Sequence, residues 1–117
     1  MEKAHRELAA AKVMLEHGFL DNVFFHCQQA LELALKGLYI DRHGQLAPKI
    51  HNLVELSQHI PISIPDQFRT LFRRLSRIYV RSRYDMNFWT ALDDREEAQK
   101  VLAATEEALE WLAGQLR

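Results

Sequence analysis

A chain of 117 residues with a formal net charge of −1 is long enough for one real core and too short for two. Its 48% apolar and 26% charged residues are ordinary for a soluble globular protein, and the charge balance gives no general attraction to nucleic acid or an anionic membrane. The single Cys27 excludes an internal disulfide, the first residues lack a signal-peptide pattern, and no stretch approaches the ~18 apolar residues of a membrane span. A cytoplasmic location without membrane contact is the expectation.

In chain order, Glu2 to His17 reads as an amphipathic helix with Ala4, Leu8, Ala11 and Leu15 on one face and Gly18 just past its end. Asp21 is the expected cap of the next helix, and the short link predicts an antiparallel hairpin. In Asp21 to Tyr39, the central stretch, Phe24, Cys27, Leu31, Ala34, Leu35 and Leu38 form one apolar face. Phe25, Ala30, Leu33 and Ile40 put apolar groups on the other sides, so the helix is expected to be enclosed. Gln29, Glu32 and Lys36 nevertheless share one narrow sector, either paired inside or displayed at a groove or subunit contact.

Gly44 ends that helix, and His51 to Ile60 reads as a short one with Leu53, Leu56 and Ile60 inward. Ser63 to Asp66 resembles a helix start with a hydroxyl cap and an early proline. A strong helix then runs to about Ser82, with Phe68, Leu71, Phe72, Leu75, Ile78 and Tyr79 as its core stripe. Residues 83–90 read as an aromatic-rich loop. Asp93 to Glu96 supplies a capping box for a last helix to about Gln115, whose inward face includes Ala98, Val101, Leu102, Thr105, Leu109, Leu112 and Leu116. No segment alternates like a strand. The expected architecture is an all-α, up-and-down helical bundle of four long helices plus one short helix, a single domain over residues 1–117.

Six Arg stand against one Asp between Asp66 and Tyr84. Such guanidinium groups can grip phosphates. For Arg69, Arg73 and Arg74 the preferred reading is a solvated face paired with Glu96, Glu97, Glu106 or Glu107, since surface ion pairs are common and weak. Arg81, Arg83 and Tyr84 differ because they lie where helix gives way to loop. Gln29, Glu32 and Lys36 are either a ligand site or an i,i+4 pair plus an amide that fixes packing. His26 reads as a satisfied core histidine and His51 as a local cap or a site residue. The six His show no metal-ligand spacing, and there is neither a phosphate-cradling glycine loop nor a nucleophile elbow. No metal site is expected.

The run FFHCQQALELALKGLY resembles the central motif of HEPN domains (higher eukaryotes and prokaryotes nucleotide-binding). PKIHNLVEL and YVRSRYD resemble that family's next two motifs in the expected order, and DDREEAQKVLAATEEALEWL its last helix. Ile50 stands where Thr is usual before His51, and Asp85 replaces the proline after Tyr84. The resemblance implies a helical bundle, often a homodimer, similar to the substrate-binding domain of aminoglycoside nucleotidyltransferases. It also implies a small MNT-type nucleotidyltransferase as partner, sometimes in a toxin–antitoxin pair. By position, Gln29, Glu32 and Lys36 match the first motif, His51 the second, and Arg81, Arg83 and Tyr84 the third.

Many members are metal-independent ribonucleases with an R-x4-6-H motif, but no Arg here has a His at that spacing. The expectation is therefore a non-catalytic HEPN protein without catalytic residues or a resident cofactor. It binds a nucleotide, an MNT-type nucleotidyltransferase or both through Gln29, Glu32, Lys36, His51, Arg81, Arg83 and Tyr84. The alternatives are a ribonuclease with a non-standard pair, His51 with Arg81 or Arg83, and a pure interaction module. Binding of RNA is left open.

Overall fold

The computed structural model describes residues 1–84 and 94–117, with residues 82–84 described as helical backbone only. Among the described residues all regular structure is helical, in the order α1 (Glu2–Glu16), α2 (Leu20–His43), α3 (Leu53–Gln58), α4 (Asp66–Tyr84) and α5 (Arg95–Ala113). The expected bundle of four long helices and one short helix is what the described residues form.

The α1–α2 hairpin closes through Gly18, whose φ of 77° is a left-handed conformation that favours a residue without Cβ. Its N–H donates to the Leu15 carbonyl and that of Phe19 to Met14, at 3.1 and 2.9 Å, the paired bonds of a Schellman stop. The chain then re-enters a helix at once. Phe19 is the N-cap of α2, and its carbonyl accepts from Asn22 and Val23. The expected cap Asp21 instead sits in the first turn, where its charge suits the positive helix end.

Gly44, at φ 66°, stops α2 by donating to Ile40. The short helix starts later than expected because Asn52, not His51, caps it by accepting from Glu55 N–H at 3.0 Å. His51 is thus freed from the helix. At the start of α4 the Pro65 carbonyl accepts from Phe68 and Arg69, while Ser63 makes no side-chain hydrogen bond among the described residues. Asp94 caps α5 through Glu97 N–H at 3.1 Å; the expected cap Asp93 lies outside the described residues, as do residues 85–90 of the expected aromatic loop, while residues 83 and 84, expected in that loop, continue α4.

The α2 helix packs against all four others. Ala4, Leu8 and Ala11 let α1 lie close along it, while Leu31, Leu35 and Leu38 meet Leu53, Leu56, Phe72, Leu75, Leu109 and Leu112 in one core. Burying each such side chain contributes roughly 1.5–3 kcal/mol before entropy is counted. Cys27 sits inside with Thr105 of α5 beside it, and burial pushes its thiol up to about 11.

Three expectations fail at the surface. Leu116 is exposed because α5 ends at Ala113. On α2, Phe25 and Ile40 remain 48% and 45% exposed, so the central helix keeps one uncovered side. Tyr79 is only half-buried.

Candidate functional site

The polar residues of α2 divide by helical position. At about 100° per residue, Gln28 and Glu32 border the core stripe, whereas Lys36 and Gln29 lie further round. Burial follows that order. Gln28 is 2% exposed, Glu32 6%, and Gln29 and Lys36 are half-buried.

A buried carboxylate must find partners, and Glu32 has two. Lys36, one turn on, approaches Oε2 to 3.1 Å. His51, just before α3, brings Nδ1 to 3.1 and 3.3 Å of the two carboxylate oxygens. Since a carboxylate only accepts, Nδ1 carries the proton in this bond. Nε2 has no hydrogen-bond partner among the described residues, and the imidazole is 58% exposed.

Gln28 fixes the same histidine by its backbone. Its Nε2 donates to the His51 carbonyl at 2.8 Å, tying the segment before α3 to α2. From α4, the Tyr79 ring lies 6.4 Å from the imidazole, centre to centre, at the edge of the core. Two helices therefore converge on His51, α2 through Gln28 and Glu32 and α4 through Tyr79. Gln28 Oε1 and Ser76 Oγ, the latter one turn before Tyr79, are buried without a hydrogen-bond partner among the described residues. Groups of that kind are ordinarily satisfied by water or ligand.

Of the expected site residues, Glu32, Lys36 and His51 come together. Gln29 stays at the rim, and its side chain makes no hydrogen bond among the described residues. Arg81 is exposed in the last turn of α4; two residues beyond Tyr79, it projects from a different side of that helix. The side chains of Arg83 and Tyr84 lie outside the described residues, although helical spacing puts the backbone of residue 83 one turn beyond Tyr79.

Sequence reasoning overlooked Gln28 and assigned Tyr79 to the core. The signal for Gln28 was present, since it falls beside Leu31 and Leu35 and a buried amide needs a partner. Nothing local marked Tyr79, which is defined by a contact with a residue from another element. His26 is half-buried, as a satisfied histidine would be, with Nδ1 2.6 Å from Glu7.

Among the described residues, no group of three or more His, Cys, Asp or Glu is placed to hold a metal ion, and no helix is long and apolar enough to cross a membrane. The chain matches the family model described as HEPN domain over residues 1–115. No curated protein and no solved structure matches it significantly.

Proposed function

The chain belongs to the HEPN family, and from that premise we propose that it is a non-catalytic member whose α2–α3–α4 junction binds a nucleotide through phosphate. The observation that carries this reading is the double engagement of Glu32, which holds Lys36 and His51 side by side with the imidazole exposed. One carboxylate then orders an ammonium that keeps two of its three N–H donors and an imidazole whose outward Nε2 donates to an anion when the ring carries both protons. Arg83, one turn beyond Tyr79, would add a phosphate contact, Tyr84 would stack or donate a hydrogen bond, Gln29 would contact ligand or partner at the rim, and Arg81, on another side of α4, would contribute only through a ligand or partner that reaches round that helix. No resident cofactor or metal is needed.

The same junction is proposed to meet a second subunit or an MNT-type nucleotidyltransferase, including as a toxin–antitoxin pair. Phe25, Gln29, Lys36 and Ile40 occupy one sector of α2, and its two apolar members are about half exposed. A contact there would cover them and bring partner groups beside His51. The test is nucleotide binding by the purified protein, alone and with a co-expressed nucleotidyltransferase. Loss of either interaction in His51→Ala and Lys36→Met, with folding retained, supports the reading; absence of both interactions in the parent protein rejects it.

One observation favours a second reading. Glu32 orients His51 through Nδ1 and leaves Nε2 outward, the arrangement of a general base. A ribonuclease using His51 with Arg81 or Arg83 would degrade RNA in a manner abolished by His51→Ala. Intact RNA after long incubation with pure protein excludes it.

A further inference from the structure

A hollow of about 300 Å³ lies between α3 and α4, lined by none of the residues discussed above as the phosphate site. Its apolar wall is built by Ile60, Ile62 and Ile64, which alternate along the connection into α4; Ile62 is the more exposed of the three, and the fully buried Phe72 backs them. Arg69 and Arg73 line the hollow from α4 and are exposed. Both were expected to pair with the acidic last helix. Only their neighbour Arg74 does so, through Glu97. Neither Arg69 nor Arg73 has a carboxylate in ion-pair distance among the described residues. Arg73 donates to the Thr70 hydroxyl at 3.1 Å, a bond that occupies one of its five N–H groups.

We infer that this hollow binds a small carboxylate with an apolar body, its carboxylate held by Arg69 and Arg73 and its hydrocarbon against Ile62 and the narrow exposed edges of Ile60 and Ile64. The i,i+4 spacing puts the two side chains on one face of α4, and guanidinium matches a carboxylate with parallel hydrogen bonds. The volume is at the low end of the ~300–1,000 Å³ of ligand pockets, which suits a short acyl or aryl acid rather than a nucleotide. The apolar wall separates this preference from a site for a bare inorganic anion. The inference is independent of nucleotide binding at His51.

Octanoate, octan-1-ol and inorganic phosphate, each titrated into the full chain and followed by backbone amide NMR, test it. Octanoate is expected to give saturable shifts in residues 57–64 and 69–73, with octan-1-ol and phosphate each at least about tenfold weaker, since each lacks one half of the recognition. The double variant Arg69→Gln/Arg73→Gln, at exposed positions, should weaken octanoate about tenfold while leaving octan-1-ol unchanged. Val54→Phe, which fills the hollow, should weaken both, with thermal unfolding confirming that each variant is folded. Equal affinity for octanoate and octan-1-ol, shifts centred elsewhere, or no saturation at millimolar octanoate would overturn the inference.

Discussion

Glu32 of α2 and His51, nineteen residues further on, meet through Nδ1 and Oε2 at 3.1 Å across the junction with α3. The carboxylate is almost wholly buried and the imidazole largely exposed, so the acid positions and the histidine is presented. Removing the buried member should therefore cost more than removing the exposed one. Glu32→Gln is expected to lower stability by about 1–3 kcal/mol, and His51→Ala by less. Urea unfolding at neutral pH checks this, and equal midpoints for Glu32→Gln and the parent would remove Glu32 as the organising group.

The adjacent glutamines should separate cleanly. Gln28 supplies the tether to the His51 carbonyl, whereas Gln29 makes no side-chain hydrogen bond among the described residues. Gln28→Leu is expected to cost about 1–2 kcal/mol and to speed amide exchange around residues 51–53. Gln29→Ala should stay within about 0.5 kcal/mol. Similar losses for both would mean that the tether is not the difference between them.

Two caps carry a prediction of their own. Asn52→Ala and Asp94→Ala each remove a side-chain acceptor from a helix N-terminus, and each should cost about 1 kcal/mol. Asn52→Ala should also weaken ligand binding at the junction, because the segment it anchors carries His51; Asp94→Ala should not. Chemical unfolding with a parallel binding measurement distinguishes them.

Much of this is legible in the sequence itself. Helical periodicity located the long helices and nearly all of the core, because their faces differ strongly in polarity. The Glu32–Lys36 pair followed from one turn of helix. What periodicity does not carry is the meeting of separate elements. Asn52 competed with His51 for the cap and won, which released the histidine to reach back to α2. Arg69 and Arg73 turned toward α3 rather than the acidic last helix because they lie on a different side of α4 from Arg74. Charge complementarity along the sequence gave no hint of that division.

Cys27 gives a pH-dependent prediction. Its thiol is pushed up to about 11 by burial, against an ordinary value of 9.0. Because the folded form holds the proton more tightly, this contribution to stability is complete below the ordinary value and is lost as pH rises toward about 11. Cys27→Ala should therefore flatten the decline in stability over that alkaline range. At neutral pH the native thiol should resist an aromatic disulfide reagent and react only on unfolding. Rapid modification of the folded protein would show that the α2–α5 contact around Thr105 opens readily.

The most direct test of the nucleotide-site proposal is titration of ATP into the isotope-labelled protein, read by backbone amide NMR. The predicted result is a saturable response centred on residues 32, 36 and 51, weakened at least about tenfold in the folded double variant Lys36→Met/His51→Ala. A response elsewhere, or one unchanged in that variant, would contradict it.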